Sequence, residues 1–190
     1  MKGDVSPANL MTSGHLVAGF LALILAAQGD FDWAAGCVGV AAVLDYLDGL
    51  VARRSRAESE LGVQLDSLAD LVSFGVAPAI TVYLSVLEAL PVAGIGACLG
   101  FVLCGAWRLA RFSLADDSPR FFVGLPIPLA GLIVVGLATL DPPAGVVLAV
   151  TLAVTFLMVT TLPFPTLSEF THLGRGRRRV EEEETRVSPE

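Results

Sequence analysis

Asp45-Tyr46-Leu47-Asp48-Gly49-Leu50-Val51-Ala52-Arg53 and, nine residues on, Gly62-Val63-Gln64-Leu65-Asp66-Ser67-Leu68-Ala69-Asp70 are two short acidic runs embedded in apolar sequence. Positions 45, 48, 49 and 52 are spaced i, i+3, i+4 and i+7, which is one face of an α-helix. Gly62, Asp66 and Asp70 stand at i, i+4 and i+8, again one face. The connection from Arg54 to Leu61 is short and charged. It makes the two helices antiparallel neighbours, so their acidic faces can meet.

The surrounding chain sets the medium in which they meet. Of 190 residues, 54% are hydrophobic and only 16% charged, and mean hydropathy is +0.72. Soluble domains carry roughly a quarter charged residues, so the surplus apolar surface must face lipid. A bilayer core of about 30 Å needs about 20 apolar residues as a helix, and six stretches qualify, at about 11–28, 32–53, 63–88, 91–112, 121–140 and 143–163. The predicted fold is therefore an all-α integral membrane protein with six transmembrane helices. An even count puts both termini on one side. All 12 Lys and Arg fall on that side as well: Lys2, then Arg53, Arg54 and Arg56, then Arg108, Arg111 and Arg120, then five Arg after the sixth span. The opposite turns carry Asp30, Asp32, Glu88 and Asp141. By the positive-inside rule both termini are cytoplasmic, and the acids open toward the cytoplasm.

Other features weigh less. A cleaved signal peptide ending near Ala26-Ala27 is the alternative for the first span, but its n-region is weakly charged and its loss would spoil the even count. Gly96 and Gly100 form a small-xxx-small pair able to support helix contact, including a homodimer. Cys37, Cys98 and Cys104 lack metal-ligand spacing and read as small buried hydrophobes. His15 and His172 are isolated, so no histidine-based metal site is expected. Net charge is −7, and nothing points to a nucleic-acid partner. The five Arg and five Glu of the tail from Thr171 to Glu190 cancel; from Arg175 through Glu184 it reads as a solvated, disordered segment whose basic cluster could touch anionic lipid.

Four aspartates in such surroundings need an explanation. An unpaired Asp at a helix centre costs about 2.5–3.5 kcal/mol on insertion scales, and four together repel one another. Only Arg53 is close in sequence, whereas two divalent cations would offset all four charges. Oxygen ligands suit Mg²⁺ or Mn²⁺, and a metal pair can clamp a phosphoryl or pyrophosphate group. A cation path or proton relay through the acids is the competing reading.

The complete pattern, Asp-x-x-Asp-Gly-x-x-Ala-Arg-x8-Gly-x-x-x-Asp-x-x-x-Asp, resembles the signature of the CDP-alcohol phosphatidyltransferase family. The resemblance implies a six-helix catalytic domain over residues 1–165, followed by a charged cytoplasmic tail, 166–190. It implies transfer of a phosphatidyl-type group from a CDP-linked lipid to an alcohol, releasing CMP. Carried over by position, Asp45, Asp48, Asp66 and Asp70 would be metal ligands, with Asp70 also taking the acceptor hydroxyl proton. Gly49, Ala52 and Arg53 would line the CDP moiety, and Gly62 would allow its close approach. Ser73-Phe74-Gly75-Val76-Ala77-Pro78-Ala79, Arg108-Leu109-Ala110-Arg111-Phe112 and Gly124-Leu125-Pro126-Ile127-Pro128 resemble the integral-membrane phosphatidylserine synthase branch, which favours serine as acceptor. Arg108 and Arg111 could receive a carboxylate or phosphate, or snorkel to anionic headgroups. Two positions depart from that branch: His15 stands where a second Asn would complete the Asn-x-x-Thr-x-x-Asn begun by Asn9 and Thr12, and Ser113 stands where Asn follows Arg-Phe. Glycerol phosphate, inositol phosphate or another alcohol stays open as acceptor, as do ester or ether lipid chains.

Overall fold

The computed structural model describes residues 7–55, 60–113 and 124–160, and every described element is helical. Helix α1 (Pro7–Gln28) is followed by α2 (Phe31–Ser55). A third helical rod is built from α3 (Glu60–Asp70), a π-helical turn (Leu71–Val76) and α4 (Ala77–Ser85). After a short 3₁₀ turn, Leu87–Ala89, come α5 (Pro91–Ser113), α6 (Ile127–Leu140) and α7 (Ala144–Val159).

Four of the predicted spans have membrane-length counterparts: Asn9–Gln28, Phe31–Leu50, Leu61–Ser85 and Pro91–Arg111. The third ends at Ser85 rather than 88, because the chain tightens into the 3₁₀ turn there. The last two are shorter apolar helices of 14 and 16 residues, about 21 and 24 Å long against a hydrocarbon core of ~30 Å. The 121–123 and 161–163 ends of those predicted spans, like the tail 166–190, lie outside the described residues. Trp33, Val92, Trp107, Leu140 and Phe156 point outward, as expected of side chains that meet lipid.

The α1–α2 hairpin is the most extensive helix pair, and its turn is built locally. Gly29 adopts φ 85°, the left-handed conformation that glycine takes without steric penalty. Its N–H donates to the Ala26 carbonyl at 3.1 Å, and the Asp30 N–H donates to the Leu25 carbonyl at 3.0 Å. That is the Schellman arrangement, which closes one helix and releases the chain directly into the next. Small side chains then let the helices approach closely: Ala18, Ala22 and Ala26 on α1, with Ala34, Val38 and Ala41 on α2, are all buried. In lipid there is no hydrophobic drive between helices, so such close backbone approach carries the association.

The third rod switches its hydrogen-bond pattern for a covalent reason. Pro78 has no N–H and cannot close the usual bond to the carbonyl four residues back. The ladder widens instead, and the Ala77 N–H donates to the Val72 carbonyl, five residues back. Two glycines hold this π turn from opposite sides. A Cβ on Gly19 of α1 would lie 2.8 Å from the Ser73 Cα, and one on Gly131 of α6 would lie 2.6 Å from the Phe74 carbonyl oxygen. Ser73 and Phe74 are accordingly fully buried.

Two expectations are adjusted. Cys37, Cys98 and Cys104 are half-buried rather than buried, since they flank the core on α2 and α5 instead of filling it. A Cβ at Gly96 or Gly100 would meet nothing within 4 Å, so that pair supports no helix contact among the described residues.

Candidate metal and phosphotransfer site

The site lies at one end of the bundle, where the N-terminal half of α1 faces the C-terminal half of α2 and the start of the third rod. Counting away from Asp30 in the turn at equal pace along both helices brings His15 level with Asp45 and Thr12 level with Asp48. The Thr12 hydroxyl donates to Asp48 Oδ2 at 3.0 Å, which fixes that register.

One ligand atom each from His15, Asp45, Asp48 and Asp66 lie within 4.8 Å of one another. Asp48 is 6% exposed, while Asp45 and Asp66 are half-buried. Asp70 stands one turn deeper on the same rod, 9% exposed, with Oδ1 4.0 Å from His15 Nε2. It lies close enough to Asp45, Asp48 and Asp66 to feel the charge of each. The four predicted aspartates do converge. Gly49 and Gly62, both half-buried, lie on the same faces, and Ala52 and Arg53 follow within the last turn of α2.

The predicted arginine pair separates. Arg108 is half-buried and Arg111 exposed, although they are three residues apart on α5. Arg108 is near enough to Asp70 for their charges to interact. Its Nε is buried without a hydrogen-bond partner among the described residues. A separate cavity of about 350 Å³ opens between α3 and α5, lined from the face of α3 opposite Asp66 and Asp70. Gln64, Ser67 and Ser113 are its polar lining, the two serine hydroxyls lying 3.3 Å apart.

His15 corrects the expectation of a histidine-free site. It is isolated in sequence, but the α1–α2 register carries it into the acidic group. Its ring is 0% exposed, lies 5.0 Å from the Phe74 ring centroid, and has neither nitrogen hydrogen-bonded among the described residues. The Ser73 hydroxyl donates to the His15 carbonyl oxygen at 3.3 Å, tying α1 to the π turn just beyond Asp70. Buried polar atoms left without partners are rare in folded proteins. Here the two imidazole nitrogens and Asp70 Oδ1 have no hydrogen-bond partner among the described residues, amid carboxylates whose charge Arg108 offsets in part. Such a donor set fits a divalent cation.

Comparison with known proteins agrees with this geometry. The family model for CDP-alcohol phosphatidyltransferase matches residues 5–164. The chain is 36% identical over 157 residues to the CDP-diacylglycerol–serine O-phosphatidyltransferase of Bacillus subtilis, covering 82% of this chain and 88% of that protein. It is 34% identical over 161 residues to the protein of the same name from Methanocaldococcus jannaschii, covering 85% of this chain and 74% of that one. With the Mycobacterium leprae protein of that name the identity is 41% over 142 residues, 71% of this chain and 47% of the longer relative. The chain belongs to the CDP-alcohol phosphatidyltransferase family.

Proposed function

We propose that this protein transfers a phosphatidyl group from a CDP-linked diacylglycerol, or its ether-lipid analogue, to the hydroxyl of L-serine, releasing CMP in phospholipid synthesis. The observation that carries this reading is the convergence of Asp45, Asp48, Asp66 and Asp70 at one end of the bundle. The name shared by relatives from bacteria and an archaeon supports serine as acceptor.

Asp45, Asp48 and Asp66 would hold the divalent metal, two Mg²⁺ or Mn²⁺ ions in full occupancy, with Asp70 at the edge of the set. When bound, such ions offset the carboxylate charge and stabilise the entering and leaving oxygens of a phosphoryl transfer. Gly49 and Gly62 leave room for the CDP moiety beside Ala52 and Arg53. Asp70 takes the proton of the serine hydroxyl. The serine oxygen forms a bond to the lipid-side phosphorus, the bond from that phosphorus to the CMP oxygen breaks, and CMP leaves. Arg108 faces this region and offers a forked cation to the serine carboxylate or a phosphate. Arg111 is exposed and serves headgroups at the membrane surface.

The protein crosses the cell membrane six times with both termini and the site on the cytoplasmic side, residues 1–165 forming the catalytic unit. The open faces of Gly96 and Gly100 suit a homodimer. Cysteine-scanning accessibility in intact cells tests the topology, and cross-linking between copies at Gly96 tests the dimer.

The chemistry is tested with purified protein in mixed micelles. CMP release from CDP-diacylglycerol is measured with L-serine, glycerol 3-phosphate and inositol phosphate in turn, with and without chelator. Serine-dependent, chelator-sensitive release is expected. Release with another alcohol but not serine would overturn the acceptor, and absence of release with every alcohol would overturn the transferase reading.

A further inference from the structure

We propose that His15 supplies a nitrogen donor to the metal site, so that one ion is held by an imidazole together with the carboxylates of Asp45, Asp48 and Asp66. This rests on the metal-dependent reading above and goes beyond it, because the predicted ligand set is all oxygen. The ligand atoms of the four residues lie within 4.8 Å of one another. Around an octahedral ion with bonds of about 2.1 Å, neighbouring ligand atoms stand about 3 Å apart and opposite ones about 4 Å. Small side-chain rotations suffice to close the group on a single ion.

The ring itself is the second observation. A neutral imidazole carries one donor and one acceptor, and both normally find partners when buried. His15 is 0% exposed and neither nitrogen has a hydrogen bond among the described residues. The ring cannot turn to water for them, being fully enclosed and set against Phe74 at 5.0 Å, while Ser73 holds its backbone carbonyl. A metal ion beside three carboxylates gives one nitrogen its partner. Imidazoles that bind metal through one nitrogen usually donate the other N–H to a carboxylate or carbonyl. Asp70 Oδ1, 4.0 Å from Nε2 and also without a partner, is placed for that role. His15 thereby connects the metal to the residue that takes the acceptor proton. A nitrogen donor also shifts the site's choice of ion. Mg²⁺ keeps to oxygen, whereas imidazole suits transition ions, so the site favours Mn²⁺ over Mg²⁺.

The test reads the ligand atom directly. The full-length protein carrying His172→Gln, in which His15 is the remaining histidine, is loaded with Mn²⁺ in detergent. Electron spin-echo envelope modulation is then recorded with natural-abundance and with ¹⁵N-labelled histidine. The expected result is ¹⁴N modulation that the label replaces, without any change at position 15 to endanger folding. In His15→Asn the modulation disappears and Mn²⁺ affinity falls by about tenfold or more, with a smaller loss for Mg²⁺. Bound Mn²⁺ whose spectrum ignores the label would overturn the inference while leaving the metal-dependent transferase intact. Failure to bind Mn²⁺ at all would overturn both.

Discussion

Gly19→Ala offers the sharpest test of how the fold positions the site, because it adds one methyl group at a point of backbone contact. The new Cβ would lie 2.7 Å from the Ser73 Cβ and 2.8 Å from its Cα. Carbon atoms in ordinary contact stand about 3.5–4.0 Å apart, so α1 and the π turn must separate by about 0.7 Å or more. Neither partner is a flexible side-chain tip. Overpacking of this kind costs about 1–3 kcal/mol. The displacement is also aimed at the chemistry: Ser73 follows Asp70 by three residues, and its hydroxyl bonds the His15 carbonyl. Moving the turn opens the 4.0 Å approach of His15 to Asp70. Misplacement of a reacting group by about 1 Å can cost about 100-fold in rate.

The expected outcome is a 10–100-fold fall in kcat for CMP release, about 1.4–2.7 kcal/mol in barrier height, with a lowered melting temperature in the same detergent. Gly36→Ala and Gly39→Ala are the controls, since a Cβ at either meets nothing within 4 Å; both should retain wild-type turnover. Adding Ser73→Gly to Gly19→Ala removes the clashing Cβ and Oγ but leaves the Cα, so recovery should be partial. Wild-type turnover in Gly19→Ala alone would refute the claim that this contact places Asp70.

Four further outcomes follow from the same geometry. Thr12→Val removes the 3.0 Å hydrogen bond to Asp48, a charge-assisted bond of about 1.5–3 kcal/mol, and should lower kcat/KM about tenfold or more in the CMP assay. Arg108→Lys should impair turnover while Arg111→Lys should leave it unchanged in the same assay, because only the former is half-buried toward Asp70. Chelation should abolish CMP release, and returning Mn²⁺ or Mg²⁺ should restore it. Asp66→Asn should raise the melting temperature in chelator, where it relieves repulsion, and lower it in saturating metal, where it removes a ligand; thermal unfolding under both conditions reads the reversal.

The four aspartates were legible in the sequence because helical spacing is local information. Acids at i, i+3 or i, i+4 within apolar sequence define a face without knowledge of the fold; the two faces meet not because α2 and α3 pack as neighbours, as the short connection suggests, but because α1 packs against both. His15 carries no local partner, so its role depends on which residue of α2 stands opposite. Part of that answer was nevertheless written in the chain. Gly29-Asp30 marks a tight reversal, and equal counting from Asp30 pairs 15 with 45 and 12 with 48. The arginines show the opposite limit: Arg108 and Arg111 share one helix face by spacing, yet α5 turns one inward and the other out. The π turn has a visible cause in Pro78, but the carbonyl that accepts the rerouted N–H is settled only by packing against Gly19 and Gly131.

The cluster also explains why so much of the bundle's interior is small. Burying acids in an apolar bundle is tolerable only if the groups that offset their charge meet them closely, and large side chains between the helices would prevent this. Lipid gives helices no hydrophobic reason to associate, so the chain relies on backbone proximity: alanines along α1 and α2, Gly19 against Ser73, Gly131 against Phe74. These contacts have little freedom to relax, because no rotamer change can absorb a backbone clash. The same absence of side chains therefore brings the helices together and fixes the distances among the reacting groups. Stability and catalysis in this protein should accordingly fail together when a buried glycine of the π turn's cradle is filled, and separately when a polar group of the site is removed.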